Sequence, residues 1–108
     1  FQKIEFDTGS TLVTLPAGYY GSEPLFAPSA NAKSEDDGYL LVVVYNGYKH
    51  TSELHVYRAN DVTDRVCSLH LTHHVPHQFH GHFSTEVFIA PEALRDAPDR
   101  RQAPRPTA

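Results

Sequence analysis

Tyr39-Leu40-Leu41-Val42-Val43-Val44-Tyr45, set between Gly38 and Asn46-Gly47, decides the fold. These seven residues are too few for an amphipathic helix and include three consecutive valines, so they read as a strand that is apolar on both faces and must be covered on both. Asn46-Gly47 ends it with a strong turn signal. Ser34-Glu35-Asp36-Asp37-Gly38 precedes it as a polar turn, and Asp36-Asp37-Gly38 is explained by a glycine with positive φ better than by metal binding. Working outward, Pro24 to Ala27 is a short strand, Ser52 to Tyr57 is the next, Ala59 to Asp64 is a polar connection, and Arg65 to Leu71 is another strand. Strands joined in sequence by short links make one meander. Cys67 lies within the last of them and is expected to be a small buried or half-buried side chain.

Upstream, Gln2-Lys3-Ile4-Glu5-Phe6 alternates polar and apolar residues, Asp7-Thr8-Gly9 is a turn, and Ser10 to Leu15 alternates again before Pro16-Ala17-Gly18. This opening is a hairpin. A meander preceded by the last strands of one sheet and followed by the start of another is what a slice through a β-propeller gives, since blades are sheets of about four strands. The chain is therefore expected to be all-β, with residues 1–90 forming about one and a half blades. Residues 91–108 hold Pro98, Pro104 and Pro106 among Arg95, Arg100, Arg101 and Arg105, which predicts a disordered tail after one helical turn at Glu92 to Leu94. A slice of this kind leaves its inter-blade faces uncovered and is not expected to be stable alone.

Composition narrows the function classes. The 108 residues are 40% hydrophobic and carry a formal charge of −4, with acidic and basic residues interspersed, so no basic face exists to neutralise nucleic acid phosphates. The longest apolar run falls far short of the roughly 20 residues that a spanning helix needs, and the opening lacks the pattern of a signal peptide. Cys67 is the single cysteine, which excludes an internal disulfide and gives the expectation of a cytoplasmic or other intracellular setting. A sequence that contains no methionine and opens Phe1-Gln2-Lys3 reads as a piece of a longer protein. Neither a glycine-rich phosphate loop nor a serine nucleophile elbow occurs.

Chemistry is concentrated near the end of the strand-rich region. Of eight histidines, six lie between His70 and His82: His70, His73, His74, His77, His80 and His82. Neutral imidazole is the commonest metal ligand. The first four have helical spacing, but Pro76 and the β-rich flanks oppose a helix, and His73, His74 and His77 read as solvated loop residues. His80 and His82 share a face if their segment is extended. Glu23 stands just before the first strand of the meander and His80 just before the next strand group, one blade later. Inner strands of successive blades line the propeller axis, so the two residues occupy equivalent, neighbouring positions. A carboxylate at Glu23 could accept a proton from the far nitrogen of a ligating imidazole, fixing its orientation. The plain structural alternative for Glu23 is an exposed residue at the start of a strand.

Four quoted stretches carry a family resemblance: Gly21-Ser22-Glu23-Pro24-Leu25-Phe26, Glu35-Asp36-Asp37-Gly38-Tyr39-Leu40-Leu41, Ser52-Glu53-Leu54, and Val75-Pro76 followed by Phe79-His80-Gly81. In this order they resemble the carotenoid cleavage oxygenases, a family that also includes stilbene-cleaving enzymes and a retinoid isomerase. The resemblance covers residues 1–83. It implies the C-terminal portion of a seven-bladed β-propeller whose axis holds Fe(2+) on four histidines, three of them oriented by glutamates. By the Phe-His-Gly motif, His80 is the last iron ligand. By the Ser-Glu-Pro motif, Glu23 is the last orienting glutamate. His82 stands where the family varies and is not assigned to iron, and Gln78 replaces a glycine usual just ahead of Phe79. The implied function is a non-haem Fe(II) dioxygenase that cleaves a carbon–carbon double bond of a carotenoid, apocarotenoid or stilbene with O2. This segment would supply one ligand and be inactive alone. Nucleic acid is excluded as a partner, and any peripheral membrane contact would use regions outside this chain. The alternatives are a non-enzymatic, histidine-rich metal-binding β-module, or an isomerase or inactive scaffold on the same fold.

Overall fold

The computed structural model describes residues 1–86, all in strands, turns and irregular segments. The expected tail and its helical turn lie outside the described residues. Seven strands occur in the order β1 (Gln2–Glu5), β2 (Gly9–Leu12), β3 (Tyr19–Gly21), β4 (Leu25–Pro28), β5 (Gly38–Asn46), β6 (Thr51–Arg58) and β7 (Arg65–His70). β1 and β2 form the expected hairpin, turning at Gly9 with φ of 111°. The other five make one antiparallel sheet in which β5 pairs with β6 on one side, and with both β3 and β4 on the other. The meander runs on through β7.

β3 is the element that alternation in the sequence does not reveal. Three residues beside the Pro16-Ala17-Gly18 turn are too few to show a period, and their strand identity comes from pairing with β5 at Asn46, Tyr45 and Val44. Together β3 and β4 are two halves of one edge strand. Gly21 pairs with Val44 and Leu25 with Leu41, so residues 22–24 face only Val42 and Val43. One extra residue in an edge strand is a bulge, and Pro24, which has no N–H to give a ladder, sits in it.

The core lies on one face of the sheet. Val42 and Val44 are 1% and 0% exposed, Tyr57 is buried beside them, and Phe1, Val13, Leu15 and Tyr19 pack against this cluster. The hairpin region thus covers that face, and Phe1 meets Tyr57 edge-on at 5.2 Å between ring centres. Each valine buried in this way contributes about 1.5–3 kcal/mol. The opposite face is left half-covered at Leu41, Val43, Leu54 and Val56, and Leu69 is exposed. Among the described residues β5 is therefore covered on one side only.

The turn at Gly38 forms by means other than those expected. Gly38 does not have positive φ. Its lack of a side chain matters because a Cβ would strike the Ala27 carbonyl oxygen and lie 2.8 Å from the Phe26 ring. After Asn46 the left-handed residue is His50, with φ of 53°, while the Asn46 side-chain oxygen accepts from the amides of Tyr48 and Lys49. The turn is thus held by the asparagine side chain rather than by glycine freedom. Cys67 is exposed, contrary to expectation, because β7 is the outer strand of the described sheet.

Two outcomes are expected. A thermal melt of the isolated 108 residues should show no cooperative transition; a sharp one would refute the need for neighbouring blades. In the intact protein, Gly38→Ala should overpack β4 against β5 by about 1–3 kcal/mol and speed amide exchange in β4, whereas unchanged protection there would refute the close-approach account.

Candidate metal centre

The bulge aims Glu23. Ser22 holds it to the sheet: its amide donates to the Val43 carbonyl at 2.8 Å, and its hydroxyl accepts from the Val43 amide at 3.1 Å. The side chain thereby replaces the ladder bond that the bulge would forfeit. Glu23, the next residue, projects from the sheet edge, and its Oε2 accepts from the Gly81 amide at 3.2 Å and lies 3.4 Å from His80 Nδ1. These two residues are 57 apart in sequence and meet in space. Phe79 packs edge-on against the His80 ring at 4.6 Å. Gly81 passes so close to β4 that a Cβ there would lie 2.9 Å from Leu25 Cδ1, so the Phe-His-Gly backbone is seated against both the bulge and the strand after it.

With Nδ1 toward the carboxylate, the tautomer that donates from Nδ1 leaves Nε2 with its lone pair free. The His80 side chain is 72% exposed, and among the described residues Nε2 has no hydrogen-bond partner. An imidazole held at one nitrogen by a carboxylate and open at the other has the chemistry of a metal ligand. Among the described residues no three histidine, cysteine, aspartate or glutamate side chains converge on a point that could hold a metal ion. Any metal at His80 needs donors from elsewhere.

His80 and His82 do not lie on a strand, contrary to the expected shared strand face. A strand exists through its ladder, and no described segment offers one to residues 77–86. The remaining histidines divide between two settings. His74 and His77 both stand edge-on to the Tyr45 ring, at 5.0 and 5.3 Å, in an irregular segment that forms no helix. His70 ends β7, with Nδ1 3.3 Å from Glu53 Oε1.

Glu53 belongs to a buried polar network that the sequence reading assigned no role. It is 5% exposed, its Oε2 lies 2.8 Å from His55 Nε2, and its Oε1 accepts from Asn46 Nδ2 at 3.1 Å. His55, 2% exposed, reaches the Tyr57 hydroxyl through Nδ1 at 3.3 Å. Glu53, His55 and Tyr57 alternate with Leu54 and Val56, so the signal was a period-2 pattern. The inward face, however, is the polar one: Glu53 and His55 stand opposite Val44 and Val42. Burial alone would push the Glu53 carboxyl up, but hydrogen bonds from His55 and Asn46 and the nearby charges of His70 and His55 outweigh it and hold the carboxyl below its ordinary value.

The chain matches the model of the retinal pigment epithelial membrane protein family over residues 1–85. It belongs to the carotenoid oxygenase family. Over 81 residues the chain is 36% identical to apocarotenoid-15,15'-oxygenase of Synechocystis, an alignment that spans 73% of this chain and 16% of that protein. It is 34% identical over 90 residues to a carotenoid dioxygenase of Gibberella fujikuroi, spanning 74% of this chain and 13% of the relative. Resveratrol cleavage oxygenase 1 of Aspergillus fumigatus is 33% identical over 75 residues, spanning 68% and 15%. Among solved structures, the cobalt-substituted Synechocystis apocarotenoid oxygenase superposes with a TM-score of 0.66 at 35% identity over 70% of this chain and 16% of that one. A chimera of that oxygenase and RPE65 gives 0.72 at 34% identity over 77% and 18%. The carotenoid oxygenases are metal-dependent seven-bladed propellers, and the meander and hairpin of this chain are a portion of one.

The depressed carboxyl of Glu53 has a pH consequence. Its stabilising contribution is present in full above its unfolded value of about 4.3 and is lost as pH falls through the lower folded value. Amide exchange in β6 and β7 of the intact protein should accelerate as pH is lowered through that window, beyond the intrinsic pH dependence, and Glu53→Gln should flatten the change. An equally steep acid limb in the variant would remove Glu53 as its source.

Proposed function

We propose that this chain is the segment of a non-haem Fe(II) dioxygenase that supplies the last iron-ligand histidine, His80, with Glu23 as the residue that orients it. The observation that carries the reading is the placement of one carboxylate oxygen of Glu23 against both His80 Nδ1, at 3.4 Å, and the Gly81 amide, at 3.2 Å. The residues present fit the metal: imidazole is a neutral nitrogen donor suited to ferrous iron, and it is presented with one nitrogen engaged and the other open. When bound, iron would activate O2 for cleavage of one carbon–carbon double bond of a polyene, giving two carbonyl products.

The chain's own residues act by orientation. Glu23 accepts from Nδ1, fixes the tautomer that leaves Nε2 as the donor, and raises the basicity of the ring. The Gly81 amide holds the same carboxylate oxygen, so the carboxylate and the ligand backbone move as one unit. The proposed chemistry requires no general acid or base from this segment. The substrate class is supported by the relatives, which are named as an apocarotenoid oxygenase, a carotenoid dioxygenase and a resveratrol cleavage oxygenase. A carotenoid or apocarotenoid is the proposed substrate here. One donor does not make a mononuclear site, so the isolated chain should be inactive.

In the intact protein, His80→Ala should abolish stoichiometric iron binding and turnover, while Glu23→Gln should weaken iron binding on the order of 10–100-fold. Metal analysis alongside product assay checks both. Full iron content in the His80 variant would sink the assignment.

A further inference from the structure

We propose that Ser52 is a positioning residue for the His80 imidazole, acting through the backbone of residues 71–75; the proposal rests on the reading of His80 as an iron ligand. Ser52 is 0% exposed, and its polar groups serve one segment. Its amide donates to the His73 carbonyl at 3.1 Å and its carbonyl accepts from the Leu71 amide at 2.9 Å. Its hydroxyl accepts from the Val75 amide at 2.8 Å and donates to the Val75 carbonyl at 3.4 Å. β7 ends at His70, so one serine governs the path of the chain as it leaves the sheet.

Tyr45, the register partner of Ser52 on β5, adds the edge contacts to His74 and His77. Pro76 follows at once, biasing Val75 to an extended backbone and fixing its own φ. From there residues 77–80 run to the ligand without a ladder. The described segment that carries His80 is thus held at two places: upstream by Ser52 and Tyr45, and at the site by Glu23 and Leu25. Ser22, in the bulge beside β5, does for Glu23 what Ser52, on β6, does for the histidine segment: in each case a serine hydroxyl takes a backbone amide at a place where regular pairing stops. Removing the Ser52 hydroxyl leaves the Val75 amide without its partner and frees the segment that delivers His80.

The test compares Ser52→Ala, Ser52→Cys and His80→Ala in the intact protein. Ser52→Ala should lower iron affinity on the order of tenfold, alter the visible spectrum of the cobalt(II)-loaded protein, and speed amide exchange at residues 79–81 while β5 and β6 stay protected. Ser52→Cys is only slightly larger but a weaker acceptor, so its effect should fall between wild type and Ser52→Ala; it carries the test if the alanine variant does not fold. Wild-type affinity and cobalt spectrum in the serine variants, or a lower melting temperature with an unchanged spectrum, would overturn the positioning role. If His80→Ala itself retains stoichiometric iron, the ligand reading fails; if His80→Ala loses iron while the serine variants keep it, only the Ser52 proposal fails.

Discussion

The ladder of β5 is the constraint on which the rest depends. β5 pairs with β6 along its length on one side and with two separate segments, β3 and β4, on the other. Because those segments together bring one residue more than β5 can match, the edge must bulge, and the bulge falls at Ser22-Glu23-Pro24. Glu23 is thus aimed by a mismatch in register. Its carboxylate meets His80 because the sheet next to it is regular enough for a single irregularity to have a defined direction.

The same sheet carries polar groups of two kinds. Glu53, His55 and Asn46 are buried and bonded to one another, and among the described residues no buried side-chain nitrogen or oxygen lacks a partner. A satisfied network of this sort is a structural solution to placing polar side chains opposite Val42 and Val44. Glu23 and His80 differ: their side chains are 45% and 72% exposed, and among the described residues the ring keeps one nitrogen open. Burial with full satisfaction marks the Glu53 network, while partial satisfaction at an exposed edge marks Glu23 and His80.

Much of this was legible in the sequence. The meander, the hairpin and the turn positions followed from periodicity and from Gly, Pro and Asn, because those signals depend on local backbone preference. The approach of Glu23 to His80 followed from equivalent positions in successive blades. The strand β3 was not legible, because three residues carry no period. Nor was the burial of Glu53 and His55, because alternation tells which residues share a face but not which face turns inward. The conformations of Gly38 and His50 were also hidden: one depends on how closely Ala27 and Phe26 approach, the other on where the Asn46 side chain bonds.

The sequence by itself determined the β character, the hairpin and the meander, and it singled out Glu23 and His80 as candidates, since each is set by local pattern or by residue type. Tertiary structure alone decided that one oxygen of Glu23 reaches both His80 and Gly81, and that Ser52 fixes the chain on its way there. Those contacts join residues far apart in sequence, and their distances depend on the register and bulge of a sheet that exists only when all its strands have paired. What the tertiary structure adds at His80 is a geometry: a ring held at Nδ1 by Glu23, open at Nε2 among the described residues, on a segment tethered upstream by Ser52.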